Sequence, residues 1–116
     1  MNIALFGRHP SPAEHIVFPE GLPEDKINDY AYMMKECSSW LYLRPFLTDR
    51  SDCPKGRWNP PKEYHLYVEG FTPALIAFLK AWGISGSKSH ALEIPPTLYL
   101  MHYQSDGTYH PQVWTP

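Results

Sequence analysis

The chain of 116 residues has the length of one domain and is long enough to bury a single core. Hydrophobic residues make up 43% and charged residues 19%, which is typical of a globular protein and excludes a disordered chain. The 10 basic and 12 acidic residues give a net charge of −2, which argues against a broad surface for duplex nucleic acid.

The cysteines and histidines bear on compartment and metal binding. The two cysteines, Cys37 and Cys53, are too few for a disulfide scaffold, and no signal peptide or membrane-spanning apolar run is visible. We therefore expect a cytoplasmic protein with free thiols and no membrane association. Because the six histidines lack metal-ligand spacing and paired cysteines, we predict no metal site. We also predict no cofactor.

The first half of the chain is predicted to contain a strand and a helix. Asn2–Phe6 is a short apolar run ended by Gly7, which is typical of a buried strand. Residues 8–23 hold four prolines and read as a loop with at most one helical turn. The pattern then predicts a helix from about 24 to 37, which residues 40–43 either extend or follow as a short strand. The apolar stripe of this helix is predicted to comprise Ile27, Tyr30, Ala31, Met34 and Ser38.

Residues 44–62 are basic and rich in proline and form a predicted loop. Trp58 within it is a candidate for stacking on a nucleobase. A surface segment without a binding role explains the same composition equally well.

The clearest local signal is a strand–turn–helix over 63–82. Residues 63–69 alternate as a strand does, Gly70–Pro73 form a turn, and residues 74–82 form a helix with Thr72 as its predicted N-cap. After a Gly/Ser-rich connector, residues 97–103 form another strand. The Ser105-Asp106-Gly107 turn then returns the chain as an antiparallel edge strand over 109–114.

This order of elements predicts a single α/β domain over residues 1–116. Right-handed crossovers would make the first, central and third strands parallel, and the last two strands would form a C-terminal antiparallel hairpin. We therefore predict a small Rossmann-like three-layer domain with a mostly parallel sheet.

Several polar residues follow the predicted parallel strands, whose carboxyl ends meet at one edge of the sheet where ligands bind. Those assigned to this edge are Gly7, Arg8, His9, Ser11, Glu69, Gly70, Thr72, His102 and Tyr103. Arg8 can clamp a phosphate bidentately, and His9 can transfer a proton near neutral pH. Gly7, Ser11, Gly70, Phe71, Thr72 and Trp58 are the candidate ligand-binding residues, with His9 and Arg8 as candidate catalytic groups.

Structural roles explain many of the same residues. The Arg8-His9-Pro10 segment can be a polar loop that leaves a strand, and Thr72 can cap a helix without a ligand. Glu69 can act as a general base or can satisfy a turn. His65 and His102 fit packed strand histidines, and His15, His90 and His110 fit surface loops.

Residues Ile3–Pro12, a strand that runs into Arg8-His9-Pro10, resemble the start of several small CRISPR-associated Rossmann-like proteins. The resemblance implies a homodimer that binds a cyclic oligoadenylate second messenger in antiviral defence. It further implies that some such proteins cleave this messenger as metal-independent ring nucleases. Arg8, His9 and Ser11 are the residues that correspond by position. An Arg-His pair also opens histidine-type phosphatases, but those follow it with glycine, whereas Pro10 stands here.

Two alternatives to a nuclease stay open at this point. The chain can be a sponge that binds the nucleotide without cutting it. It can also be a protein-interaction module, for instance a defence or anti-defence adaptor, that uses its 13 prolines and the aromatic residues Trp58, Tyr109 and Trp114, which are expected to be exposed.

Overall fold

A computed structural model describes residues 1–47, 63–83 and 96–115 of the chain, with only the backbone over 42–47. The helices and strands, in chain order, are β1 (Asn2–Ala4), β2 (His15–Ile16), a short 3-10 helix (Glu24–Lys26), α1 (Tyr30–Leu47), β3 (Glu63–Tyr67), α2 (Thr72–Ala81), β4 (Thr97–Tyr103) and β5 (Tyr109–Trp114).

The five strands form one sheet in the order β2-β1-β3-β4-β5. β1 is parallel to β2 and β3, β3 is parallel to β4, and β5 returns antiparallel to β4. The predicted α/β fold, with a mostly parallel sheet and a closing C-terminal hairpin, is therefore confirmed. Pro111 lies in the outermost strand of the described sheet, a position where the N–H that proline lacks is tolerated.

The core lies between the sheet and the two helices. Alternate residues of the central strands point into it, and Met33 and Cys37 of α1 are buried against them with Phe78 of α2. The Tyr64 and Trp82 rings meet edge to face with centroids 5.2 Å apart. The other core residues from these elements are Ile3, Leu5, Leu66, Leu98, Leu100, Leu41, Ala74, Ala77 and Ala81.

The described residues form two layers, whereas the sequence predicts three. Helices α1 and α2 pack against each other, so both cover the same face of the sheet. The strand order explains this. β1, β3 and β4 are added in one direction across the sheet, and right-handed crossovers then place both described helices, α1 and α2, on the same side.

The start of α1 differs from the prediction. Residues 24–26 form the 3-10 helix, and α1 begins at Tyr30 because the Asp29 carboxylate accepts the Tyr32 N–H at 3.0 Å as an N-cap. The helix continues to Leu47, so residues 40–43 extend it and 44–47 are helical rather than part of a loop. The predicted apolar stripe is shifted, since Ile27 precedes the helix and is 41% exposed.

Strand β2 was expected to be loop. Hydrogen bonds extend its pairing beyond its two residues, because the Val17 N–H donates to the Ala4 carbonyl at 3.0 Å and the Phe18 N–H to the Leu5 carbonyl at 2.8 Å. The sequence signal for β2 is the run His15–Phe18, which is rich in strand-forming residues. The prolines that flank this run favour a loop and therefore obscured it. Within the described ranges, no helix is long and apolar enough to cross a membrane.

Candidate functional site

The chain segments that follow β1 and β3 leave the sheet at the same edge, because the two strands are parallel. Residues 7–9 and 69–71 meet there, and β4 and β5 bring Tyr103 and Tyr109 to the same edge as a cross-strand pair. We call this region the carboxyl edge. The prediction that the chain reversals after Phe6 and after Glu69 open onto one shared edge is confirmed, and Arg8 and Gly70 line one cavity there, whereas Thr72 does not.

Glu69 fastens the turn after β1 to the end of β3. One carboxylate oxygen, Oε2, accepts the Phe6 N–H at 2.8 Å, and the other, Oε1, accepts the Arg8 N–H at 3.1 Å. Hydrogen bonds to a carboxylate are about twice as strong as those between neutral groups. The structure thus places Glu69 in the turn-satisfying role that the sequence left open.

Gly7 stands between the two N–H groups that Glu69 accepts, and its backbone requires glycine. Its φ is +68°, and a Cβ built there would lie 2.5 Å from Cδ1 of Ile16 on β2. A side chain at this position would therefore be strained by the backbone conformation, and the tip of the Ile16 side chain would have to move to make room for it. The structure gives Gly7 a conformational role in presenting Arg8 and His9.

The described residues line two neighbouring cavities at this edge, and the smaller has a volume of about 240 Å³. Its lining residues come from the two turns and are Phe6, Arg8, His9, Glu69, Gly70 and Phe71. The Arg8 guanidinium carbon lies 5.0 Å from the centroid of the Phe6 ring, a cation–π distance. The Phe6 ring is held in turn by Phe18 and Phe71, at centroid distances of 5.4 and 5.8 Å. The Arg8 guanidinium thus lies over the Phe6 ring, which is itself packed by Phe18 and Phe71.

The larger cavity, of about 530 Å³, lies beside the smaller one toward the β4–β5 hairpin. It shares His9, Glu69 and Gly70 with the smaller cavity and adds Pro10, Val68, Tyr103 and Tyr109. The hydroxyl of Tyr109 donates to the Pro10 carbonyl at 3.4 Å. This bond ties the hairpin to the segment that bears Arg8 and His9.

Tyr109 is also the centre of a small tyrosine cluster. Its ring meets the rings of Tyr67 and Tyr103 edge to face, at centroid distances of 4.8 and 5.5 Å. Burial, and then the neighbouring Tyr109, raises the pKa of Tyr67 above its ordinary value of 10.0, so Tyr67 stays neutral. Tyr103, by contrast, is 65% exposed.

Four of the predicted site residues line the smaller cavity together, namely Arg8, His9, Gly70 and Phe71. Ser11 lies further along the loop, where its hydroxyl accepts the Ala13 N–H at 3.3 Å. Ser11 therefore has a local turn role, and it lines neither of the two cavities. Trp58 falls outside the described residues.

The prediction that Thr72 caps α2 is wrong. The N-cap is Phe71, which makes no side-chain capping bond, and Thr72 is the first helical residue with its side chain exposed. Thr72 lines neither of the two cavities. Pro73 follows within the first turn, as predicted.

The strand histidines have partners away from the two cavities. Nε2 of His102 lies 2.7 Å from Oε1 of Gln112 across the hairpin, and Nε2 of His65 lies 3.3 Å from Oε2 of Glu63. Tyr109 and Trp114, which the interaction-module alternative treats as exposed, are half-buried. Across residues 1–47, 63–83 and 96–115, no three His, Cys, Asp or Glu side chains are grouped to hold a metal ion.

Sequence reasoning assigned Tyr103 to this edge but missed its pairing with Tyr109 and the brace that Glu69 forms. The pairing had a signal, because Tyr103 and Tyr109 are equidistant from Asp106 at the centre of the predicted hairpin turn. The brace had none, since nothing in the sequence says which backbone N–H groups a carboxylate reaches.

Comparisons of the chain with protein-family models, with curated proteins and with solved structures found no match. The geometry of the carboxyl edge and the chemistry of its side chains therefore carry the functional argument.

Proposed function

We propose that the carboxyl edge binds a phosphate-bearing nucleotide, with a cyclic oligoadenylate second messenger as the best candidate. The observation that carries the proposal is that Arg8 and His9 line one cavity with Gly70 and Phe71, at the start of α2. A guanidinium donates two parallel hydrogen bonds to a phosphate, and a helix N-terminus favours an anion.

The carboxylate of Glu69 in the same cavity is compatible with an anionic ligand. Its two oxygens already accept backbone N–H groups, which lie in the turn that carries Arg8. These donors offset part of the negative charge that a phosphate would otherwise meet. The exposed side chains of Arg8 and His9 are the groups left to contact the ligand.

The resemblance of Ile3–Pro12 to CRISPR-associated proteins supports the choice of cyclic oligoadenylate. In a symmetric homodimer, two copies of the Arg8–His9 segment would face a two-fold ligand such as cyclic tetra-adenylate. A ring nuclease would then use the ligand's own 2′-hydroxyl, which attacks the adjacent phosphorus and forms a 2′,3′-cyclic phosphate as the bond to the 5′-oxygen breaks. His9 would accept the 2′-hydroxyl proton, and solvent would protonate the departing 5′-oxygen.

Binding is tested with labelled cyclic tetra-adenylate in the presence of EDTA. We expect a mobility shift and a higher unfolding temperature, since a ligand at 100 times its Kd adds about 2.7 kcal/mol to stability. Arg8→Ala should weaken binding about tenfold or more, whereas Arg8→Lys should retain part of it. Absence of both the shift and the stabilisation at micromolar protein would overturn the proposal.

Turnover separates the enzyme from the sponge. If the chain is a ring nuclease, wild type yields linear product and His9→Ala binds the ligand but yields little. His110→Ala is the matched control, because His110 is an exposed histidine on β5 that lines neither cavity. Binding without linear product in the wild type would instead identify a sponge.

A further inference from the structure

The two cavities at the carboxyl edge share three lining residues, so a single ligand can occupy both. His9, Glu69 and Gly70 line both, and a Cβ added at Gly70 would meet nothing within 4 Å. A ligand that occupies both cavities therefore lies against Gly70, which has no side chain to separate its two parts. Their volumes of about 240 and 530 Å³ differ by about a factor of two, so they suit groups of different size.

The chemistry of the two cavities also differs. The smaller one is lined by Arg8, whereas the larger one is lined by two tyrosines and, among the described residues, by no basic side chain other than the shared His9. Its volume falls within the range of about 300–1,000 Å³ that small-molecule sites occupy. These features suit a flat, uncharged group rather than a second phosphate.

Tyr103 is the side chain best placed to receive such a group. Tyr109 fixes one side of it by an edge-to-face contact, while Tyr109 itself is held by Tyr67 and by the Pro10 carbonyl. Yet 65% of the Tyr103 surface stays exposed, so a large part of the ring is not used in folding. A positioned and exposed aromatic ring is what single-stranded nucleic-acid sites use to stack a base.

We infer that the larger cavity is a nucleobase subsite, in which a base of the ligand stacks on Tyr103 while its phosphate lies against Arg8 in the smaller cavity. This inference rests on the proposed function and extends it. It makes the ligand a nucleoside phosphate rather than a sugar phosphate or inorganic phosphate. It also assigns base recognition to the hairpin and phosphate recognition to the turn after β1.

The experiment measures the affinity of cyclic tetra-adenylate and of ribose 5-phosphate for the wild type, Tyr103→Ala and Tyr103→Phe. We expect Tyr103→Ala to weaken cyclic tetra-adenylate binding about tenfold or more and to leave ribose 5-phosphate binding within about twofold. Tyr103→Phe keeps the ring and should bind both as the wild type does. Val113→Ala is the control, because Val113 is 52% exposed on the same hairpin and lines neither cavity.

Gly70→Leu gives an independent test of the path between the cavities. Because there is open space at Gly70, we expect this variant to fold with an unchanged unfolding temperature. We also expect it to bind cyclic tetra-adenylate at least about tenfold more weakly, since the side chain stands where the ligand crosses.

The outcomes separate the two proposals. If the wild type binds neither ligand, both the proposed function and the subsite are overturned. If it binds cyclic tetra-adenylate and Tyr103→Ala binds it equally well, the nucleotide function stands and the base subsite is refuted. Equal wild-type affinity for ribose 5-phosphate and cyclic tetra-adenylate would refute the subsite as well, because the base would then add nothing.

Discussion

Replacement of Glu69 by alanine removes the carboxylate that holds the turn after β1 against the end of β3. Two N–H donors lose their acceptor, those of Phe6 at 2.8 Å and of Arg8 at 3.1 Å. Their surroundings differ, because Phe6 is 7% exposed whereas Arg8 is exposed. Water can replace the carboxylate at Arg8 but not readily at Phe6.

The expected loss of stability follows from that difference. A buried N–H left without an acceptor costs about 1–3 kcal/mol, and the exposed bond to Arg8 contributes about 0.5 kcal/mol. Glu69→Ala should therefore lower the free energy of unfolding by about 2–3 kcal/mol. At about 4 °C per kcal/mol for a chain of this size, the unfolding temperature should fall by about 10 °C. Glu69→Gln keeps one acceptor oxygen and should lose about 1 kcal/mol.

Urea unfolding followed by tryptophan fluorescence measures these differences, and Glu63→Ala is the matched control. Glu63 is also a glutamate, at the start of β3, but it is exposed; its carboxylate lies 3.3 Å from the His65 ring and interacts electrostatically with the N-terminal ammonium of Met1. An exposed ion pair contributes at most about 1 kcal/mol. If Glu69→Ala and Glu63→Ala destabilise the protein equally, the carboxylate does not brace the turn as argued.

Three further outcomes are expected. Gly7→Ala should lower stability by at least about 1 kcal/mol in urea unfolding, because its φ of +68° disfavours alanine; an unchanged midpoint would contradict that backbone geometry. Burial raises the pKa of the Cys37 thiol from 9.0 to about 12. In Cys53→Ser, the folded protein should therefore resist alkylation at neutral pH. It should also lose stability as pH rises from 9.0 toward 12, since the unfolded chain releases the thiol proton first; rapid labelling of the folded state would refute this. Hydrogen bonds from the Thr108 hydroxyl and N–H hold the pKa of Asp106 below 3.8. The stability it contributes is thus present above pH 3.8 and lost as pH falls through the lower folded value. Asp106→Asn, which accepts the same bonds without titrating, should show a shallower acid-unfolding curve than the wild type.

Local signals predicted the parts of the fold that depend on neighbouring residues. Gly7 and Gly70 marked the two chain reversals, and the Asp106-Gly107 turn set the register of the hairpin around it. Parallel pairing of β1, β3 and β4 then followed from the lengths of the crossovers. The meeting of Arg8 with Gly70 was predictable for the same reason, since it needs only the strand directions.

The parts that were missed depend on competition between local signals or on tertiary contacts. Acidic residues 24 and 25 resemble a helix start, but the Asp29 carboxylate caps a helix five residues later, so the stronger cap defines α1. The single-sided placement of both helices depends on the order in which strands join the sheet. Periodicity within any one helix carries no information about that order.

The residues of the carboxyl edge divide by what folding already requires of them. Phe6, Glu69 and Tyr109 line the cavities, yet each has a structural task there, as a packed ring, a double acceptor or the link between hairpin and loop. Arg8 and Tyr103 are held on one side by an aromatic neighbour and are otherwise exposed. A side chain that is oriented by packing, with its functional face toward solvent, loses little further entropy when a ligand binds. We place phosphate recognition at Arg8 and base recognition at Tyr103. Packing orients both of these side chains, and a large part of each stays free to contact a ligand.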